Sequence, residues 1–196
     1  MTASLFPSFA PTVRPPLLPE SGVSYAVEDT AVGRLLLAMT AEGRLVTSAY
    51  VPDAATESAW LQRVADVVSP RVLRHEARLD GVRRELADYL DGRATGFTVT
   101  PDLVLASPFQ RAVLTGLAGQ VGYGESTTYG ALATAIARPG AARAVGSALG
   151  ANPVCVVVPC HRVLPAGGSV DGDVGGYAGG PAAKALLLAL ESRSPV

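Results

Sequence analysis

The sequence predicts two folded units: an N-terminal α/β unit with a small antiparallel sheet and helices, and a mostly α-helical C-terminal unit that contains a helix-turn-helix. Three observations predict this arrangement. Short apolar runs separated by glycine-containing turns occupy residues 25–51, apolar residues recur at helical intervals within residues 56–90, and new helical patterns begin at Pro108. Such a change from strand-like to helix-like patterning is typical of a sheet region followed by a helical region.

The domain boundaries follow from the same patterns. Residues 1–21 contain five of the 15 prolines and little periodic apolar pattern, so we expect a disordered, proline-rich tail. Residues 92–107 mix Thr, Val, Pro and Gly, and predict an extended crossing segment. We therefore place the N-terminal α/β domain at residues 22–107 and the C-terminal domain at residues 108–196.

In the N-terminal domain, apolar runs such as residues 35–39 are bounded by Gly33 and by the turn at residues 41–43, which is typical of short strands joined by turns. Residues 56–68 and 79–90 carry apolar side chains at three and four spacing, with Arg and Glu on the remaining faces. These two segments predict amphipathic helices that cover the sheet.

The C-terminal domain contains a series of helical patterns, which cover residues 109–117, 128–137, 141–149 and 182–191. Thr127 or Thr128 is suited to cap the second of them. The break at Pro139-Gly140 separates the second and third helices as in a helix-turn-helix, whose second helix normally enters a DNA groove. The β-branched run at residues 154–158 predicts a short buried strand, and a glycine-rich loop follows.

Charge, cysteine content and the pattern of apolar residues limit the class of protein. The 16 Lys and Arg residues nearly balance 17 Asp and Glu residues, so the net charge of -1 neither indicates nor excludes a polyanionic partner such as DNA. Cys155 and Cys160 are too few and too close for a disulfide framework, so we expect a reduced, cytoplasmic protein. The N-terminus lacks a signal-peptide pattern, and no run approaches the roughly 18 apolar residues of a membrane span, so we expect no membrane partner.

Cys160 is the first candidate for chemistry. It ends an apolar run, follows Pro159 and precedes His161 and Arg162, and such neighbours favour the reactive thiolate form of cysteine. Free cysteines are more often small buried hydrophobic residues, and from these residues alone that interpretation stays open. It is the preferred interpretation for Cys155, which lies among valines.

Metal binding is the competing use of cysteine and histidine. A closed zinc site needs about four well-spaced ligands. The chain has two cysteines and two histidines, His75 and His161, and the adjacent pair Cys160-His161 is poorly spaced. His75 lies among arginines, which is typical of a solvated helix face. We expect no metal.

The predicted helix at residues 141–149 consists of small residues around a single arginine. Helical spacing directs Val145, Ala148 and Leu149 to the core, and Arg143, Ala144 and Ser147 outward. This outward face allows a partner to approach the backbone closely. An ordinary alanine-rich packing helix explains the stretch equally well.

Three segments taken together resemble the signature of the O6-alkylguanine-DNA alkyltransferase family, also called methylated-DNA–protein-cysteine methyltransferases. They are AARAVG at residues 141–146, GANP at residues 150–153 and PCHRV at residues 159–163, and their order and spacing match as well. The similarity extends from about residue 109 to residue 191. It implies a ribonuclease H-like N-terminal domain and a monomeric suicide enzyme without cofactor, which repairs double-stranded DNA through the minor groove.

The resemblance also implies roles for individual residues. Cys160 would accept the alkyl group, His161 would draw off its proton through a water, and Glu191 would orient and polarise His161. Asn152 would tie together the turns before Cys160. Tyr129 would press on the phosphate behind the damaged nucleotide and donate a proton to the guanine ring.

For DNA, the resemblance implies that Arg143 replaces the flipped base. The neighbouring DNA-contacting residues would be Ala142, Ala144, Ser147 and Tyr129. The residues expected in the substrate pocket are Tyr177, Ala178, Gly179, Leu149 and Val163.

The chain departs from the family pattern in the loop at residues 163–176, which is longer and carries the insertion Asp171-Gly172-Asp173. Ala178 stands where serine is frequent, but the backbone amide that contacts guanine survives that change. Non-catalytic alkyltransferase-like lesion binders are the main alternative, but they carry tryptophan or alanine where this chain has Cys160. A sequence-specific transcription factor would need longer side chains around Arg143 to read base edges.

Overall fold

The computed structural model describes residues 22–169 and 172–193, so the predicted tail at residues 1–21 and Asp171 lie outside the described residues. Within this part of the chain, a mixed sheet of five strands forms the N-terminal half, in the order β4-β1-β2-β3-β5. The strands are β1 (Val23–Thr30), β2 (Gly33–Thr40), β3 (Arg44–Tyr50), β4 (Val72–Arg74) and β5 (Thr100–Pro101).

The prediction of an antiparallel sheet is correct for the three central strands only. β4 pairs parallel with β1, and β5 pairs parallel with β3, so the sheet is mixed. The edge strands are three and two residues long, too short to show the alternation that predicts a strand. The chain reaches β4 from β3 through the helix at Ala54–Val67, and a long connection of this kind allows β4 to pair in parallel with β1.

Two helices cover opposite faces of this sheet. Helix α1 (Ala54–Val67) is capped by Asp53, whose side chain accepts a hydrogen bond from the Thr56 amide at 2.7 Å. Its Val64 packs on the same side as Ala38 and Val46. Helix α2 (Asp80–Leu90) packs on the other side, and both helices agree with their predicted ranges to within two residues.

The four helices predicted for the C-terminal half are present. They are α3 (Pro108–Gln120), α4 (Tyr129–Ala135), α5 (Ala142–Gly150) and α6 (Gly180–Glu191). Thr128 caps α4 by accepting from the Ala131 amide at 3.1 Å, as predicted. Two short strands, β6 (Thr127–Thr128) and β7 (Val163–Leu164), pair in parallel and join the start of α4 to the chain that follows Cys160.

The predicted regular strand at residues 154–158 is wrong. The segment makes only isolated bridges, Ser48 with Val154 and Cys155 with Val158, and Val156 has a φ of 71°. The Val158 amide bonds back to the Val154 carbonyl at 2.9 Å, so the segment is coiled into turns. The apolar, β-branched composition of residues 154–158 correctly indicates that the segment is buried. A buried segment need not have an extended backbone, so the prediction of a strand did not follow.

One hydrophobic cluster continues from the N-terminal half into the C-terminal half. It includes Leu37 and Tyr89 from the first half, and Leu114, Val145 and Cys160 from the second. Cys160 therefore lies where the two halves of the chain meet. None of the helices formed by the described residues is long and apolar enough to cross a membrane.

Candidate active site

Cys160 begins a single turn of 3-10 helix, Cys160–Arg162, and is only 4% exposed. The turn is enforced by Pro159, which cannot donate to a β-ladder. A cavity of about 330 Å³ reaches the cysteine, a volume suited to a small ligand. The cavity is lined by Tyr129, Gly146, Leu149, Gly150, Cys160, Gly176, Tyr177 and Ala178.

Asn152 organises the turns before Cys160. Its amide nitrogen donates to the Val158 carbonyl at 3.0 Å and to the Cys160 sulfur at 3.1 Å, and its side-chain oxygen accepts from the Val154 amide at 2.9 Å. The side chain is buried, so each of these bonds replaces a bond to water. Asn152 therefore fixes both the backbone and the sulfur position of Cys160.

Cys155 is a second buried thiol beside Cys160. The pKa of Cys160 is lowered, first by a hydrogen bond from Cys155, against the effect of burial, and further by the amide of Asn152 and the charge of Lys184. The pKa of Cys155 is raised well above its usual value by the same hydrogen bond and by burial. Cys155 also lies 3.3 Å from the Asn152 carbonyl, so its proton has two acceptors. Cys160 is the thiol that ionises.

Glu191, at the last turn of α6, is the centre of a buried hydrogen-bond network. His161 Nε2 lies 2.6 Å from Glu191 Oε1, and Arg162 donates to both carboxylate oxygens, from Nε at 2.8 Å and from Nη2 at 3.2 Å. The Gly124 amide donates to Oε2 at 3.1 Å, and the Tyr89 hydroxyl donates to Oε1. Five donors therefore converge on one carboxylate.

The network fixes the protonation states of its members. Burial raises the pKa of Glu191, but the bonds from His161, Arg162 and Tyr89 outweigh it and lower that pKa to about 2. Burial lowers the pKa of His161 against the opposing effect of Glu191. A neutral imidazole beside an ionised carboxylate carries its proton on Nε2, which leaves Nδ1 as the basic nitrogen. Nδ1 is buried and has no hydrogen-bond partner within residues 22–169 and 172–193.

Lys184, which the sequence interpretation missed, is fully buried next to the cavity. Its ammonium donates to the Val163 carbonyl at 2.6 Å and to the Gly176 carbonyl at 3.4 Å, and it lies 5.8 Å from the centre of the Tyr129 ring. Burial lowers its pKa. Two signals pointed to it: it is the only lysine in a chain with 15 arginines, and it precedes Glu191 by two helical turns.

The predicted pocket residues divide into two groups. Tyr177, Ala178 and Leu149 line the cavity, whereas Val163 and Gly179 are not part of its wall. Val163 instead supplies the carbonyl that accepts from the buried lysine. Gly179 faces Tyr50, because a Cβ at this position would lie 2.4 Å from the Tyr50 ring.

Helix α5 places its predicted faces correctly. Arg143, Ala144 and Ser147 are exposed and Ala142 is half-buried, while Val145, Ala148 and Leu149 are buried. Gly146, one turn after Arg143, lines the cavity. The exposed arginine is therefore close to the cavity that contains Cys160. No cluster of three or more metal-ligating side chains occurs among the residues that the structure describes.

Comparison with known proteins finds relatives that cover most of the chain. Residues 108–193 match the family described as "6-O-methylguanine DNA methyltransferase, DNA binding domain". The chain is 38% identical over 175 residues to a methylated-DNA–protein-cysteine methyltransferase of Mycolicibacterium paratuberculosis, covering 87% of this chain and 93% of the relative. It is 41% identical over 123 residues to the inducible enzyme of Bacillus subtilis, covering 63% and 65% respectively.

Solved structures show the same fold. The crystal structure of Mycobacterium tuberculosis OGT in complex with DNA has a TM-score of 0.70 and 32% identity, and the match covers 86% of this chain and 92% of that one. These relatives define a class of enzymes, the cysteine methyltransferases that act on methylated DNA. The chain belongs to the methylated-DNA–protein-cysteine methyltransferase family.

Proposed function

We propose that this protein repairs alkylated DNA by direct reversal, and that it moves an alkyl group from O6 of guanine to its own Cys160 in a single irreversible turnover. O4-alkylthymine, which presents an analogous alkylated oxygen, is a second substrate. The observation that carries this proposal is the Cys160 sulfur at the wall of a cavity, with a lowered pKa and the His161–Glu191 pair behind it. The bonds to Asn152 support a fixed direction of attack.

The transfer is a displacement at the alkyl carbon. The Cys160 proton passes through a water to His161 Nδ1, whose position as the free basic nitrogen supports this role. The thiolate forms a bond to the alkyl carbon, the bond from that carbon to O6 breaks, and its electrons return to the guanine. Tyr129 donates a proton to the ring; burial raises its pKa, so it is protonated before the reaction. Glu191 holds the imidazole throughout.

The guanine must leave the double helix to reach this sulfur, because O6 of a paired base lies within the stack. The cavity of about 330 Å³ supports binding of a flipped base. Flipping costs a few kcal/mol, and insertion of Arg143 into the stack would offset part of that cost. Ala142, Ala144 and Ser147 are small, and they allow α5 to approach the minor groove closely.

The remaining assignments extend this proposal. Helices α4 and α5 act as a helix-turn-helix, residues 108–196 form the DNA-binding and transfer domain, and residues 22–107 form a ribonuclease H-like domain. The protein works as a monomer in the cytoplasm, without cofactor or metal. A non-catalytic lesion binder is the disfavoured alternative, because the relatives are named as methyltransferases and Cys160 is present in an activating environment.

Intact-mass and peptide-mass spectrometry test the transfer. After incubation with duplex DNA that contains O6-methylguanine, we expect the mass of one methyl group to be added, located on Cys160. The Cys160→Ser variant is expected to gain no mass while still binding the duplex. Cys155→Ser is the matched control, since it removes the neighbouring thiol and keeps the nucleophile. An adduct on another residue, or none, contradicts the proposal.

The role of Arg143 is tested with two substrates. Arg143→Ala should slow repair of duplex DNA by about tenfold or more, while reaction with the free base O6-benzylguanine changes little, because the free base needs no flipping. Arg138→Ala is the control, since Arg138 is also exposed but lies between α4 and α5, outside the helix that carries Arg143. Equal loss on both substrates would show that Arg143 does not act in base flipping.

A further inference from the structure

Tyr89 has a buried hydroxyl group that takes no part in the mechanism proposed above. It lies on α2, in the N-terminal half of the chain, and is 1% exposed. Its hydroxyl donates to Glu191 Oε1, across a separation of 102 residues in sequence. Burial and the charge of Glu191 raise the pKa of Tyr89, so it remains a donor over the whole working range of pH.

The position of this bond distinguishes it from ordinary packing. Glu191 Oε1 is the oxygen that also faces His161 Nε2, at 2.6 Å, and it receives a weaker third bond from Arg162 Nη2 at 3.2 Å. A carboxylate oxygen shares its negative charge among its donors. The Tyr89 hydroxyl therefore competes with His161 for the charge of Glu191.

The ring of Tyr89 is held independently of its hydroxyl. It packs against Phe97 with ring centres 4.9 Å apart, and edge-on against Tyr123 at 6.1 Å. A phenylalanine at this position would keep both contacts. Packing accounts for the ring but does not account for the hydroxyl.

We propose that Tyr89 is a positioning residue for alkyl transfer, whose hydroxyl fixes the Glu191 carboxylate and limits the charge that it presents to His161. Two consequences follow, and both rest on the proposed role of the His161–Glu191 pair. The carboxylate is held in place by a residue of the N-terminal half. The imidazole is kept neutral, and so able to accept the proton of Cys160, even though it touches an anion.

Removal of the Tyr89 hydroxyl should change the pKa of His161 in a predictable direction. With one donor fewer, Glu191 presents more negative charge to His161, which stabilises the imidazolium and raises the pKa of His161. The acid limb of the pH-rate profile should move to higher pH. In the described part of the chain, the other ionisable groups that face His161 are Arg162 and Lys184, whose charges act on it, Tyr177, whose ring lies edge-on to it, and the adjacent Cys160.

The test measures single-turnover repair of an O6-methylguanine duplex by Tyr89→Phe between pH 5.5 and pH 9, at saturating protein. We expect a rate about threefold to tenfold below that of the unchanged protein near neutral pH, and an acid limb shifted upward by about half a unit or more. DNA affinity should not change, and the alkaline limb, which reports loss of the proton that Tyr129 must donate, should not move. Tyr123→Phe is the matched control, because it alters a neighbouring ring that does not bond Glu191 in the described part of the chain.

A double-mutant cycle shows whether Tyr89 acts through Glu191. Tyr89→Phe combined with Glu191→Gln should be no slower than Glu191→Gln alone. If Tyr89→Phe does not fold, 3-fluorotyrosine at position 89 keeps the ring and strengthens the donor, and should shift the acid limb downward.

The outcomes separate this inference from the proposed function. Normal rates and an unshifted acid limb in Tyr89→Phe, together with a slow Glu191→Gln, overturn the positioning role and leave the transfer mechanism intact. A Glu191→Gln variant that reacts at the normal rate overturns the histidine–glutamate relay itself.

Discussion

The Gly124→Ala substitution tests whether the close approach of the Gly124 backbone to Glu191 is needed for stability and transfer. Gly124 has a φ of 74°, a left-handed conformation that favours glycine, and its amide donates to Glu191 Oε2 at 3.1 Å. A Cβ at this position would lie 2.9 Å from the backbone oxygen of Glu191. The substitution therefore combines backbone strain with a steric overlap at the backbone of Glu191, the residue whose carboxylate holds His161.

The two contributions can be estimated separately. A left-handed conformation costs a residue with a Cβ about 1–2 kcal/mol. Overlap with a backbone atom that must move costs about 1–3 kcal/mol more, as overpacking does in cores. We expect Gly124→Ala to lower the free energy of unfolding by about 2–5 kcal/mol, or about 4–20 °C in melting temperature for a chain of this size. A shift of Glu191 by a few tenths of an ångström should also slow transfer about threefold or more.

Gly43→Ala supplies the control. Gly43 has a φ of 80° but no atom within 4 Å of its would-be Cβ, so it pays the strain without the overlap. Thermal unfolding and the rate of methyl transfer from an O6-methylguanine duplex should be measured for both variants. The smaller entropy of the unfolded chain that alanine brings is common to both and cancels in the comparison.

The reasoning is refuted if Gly124→Ala is no less stable than Gly43→Ala and transfers methyl groups at the normal rate. If Gly124→Ala is unstable but fully active, the overlap is relieved away from the carboxylate, and Glu191 is not positioned from this side.

Three further predictions concern the charges around the thiol. Cys155→Ala should raise the pKa of Cys160 and Cys155→Ser should raise it less, which the pH dependence of Cys160 alkylation by iodoacetamide would show. Lys184→Met should also raise that pKa, and it should slow transfer about tenfold or more, because the buried Val163 carbonyl loses the ammonium that donates to it. Lys184→Arg should not restore the rate, because the larger guanidinium does not fit the same site. Glu191 has a folded pKa of about 2 against an ordinary value of 4.5, so its contribution is present above pH 4.5 and is lost as the pH falls toward 2. Urea unfolding between pH 2 and pH 7 should lose about 3 kcal/mol from this group, and Glu191→Gln should lack that part of the slope.

The local sequence patterns, namely the periodicity of apolar residues and the capping residues, predicted most of the fold. The helices could be located from their periodicity, and their caps from residues such as Thr128, because both signals depend on neighbours a few residues apart. The edge strands β4 and β5 could not be predicted, since each is defined by its partner strand and not by its own sequence. The prediction of a strand at residues 154–158 was wrong for a related reason, because the polar contacts that hold this segment in turns come from the side chain of Asn152.

The candidate site was predictable where its members lie close in sequence or within the resemblance. The sequence predicts Cys160, His161, Asn152 and Glu191 as site residues, and the structure brings them together. Tyr89 was not named, because it reaches the carboxylate only through the docking of the two halves of the chain. The buried lysine was missed because hydrophobic pattern alone places a charged residue on the surface.

The convergence of five donors on Glu191 also affects when the protein becomes reactive during folding. Tyr89 and Glu191 are separated by 102 residues, and Gly124 and Arg162 come from two further segments of the chain. Contacts of such long range form late, after the local helices and the hairpin. A partly folded chain would therefore contain an ordinary thiol of normal reactivity. For the proposed single-turnover transfer, this order of events keeps Cys160 no more reactive toward stray alkylating agents than an ordinary cysteine until the fold that selects its substrate is complete.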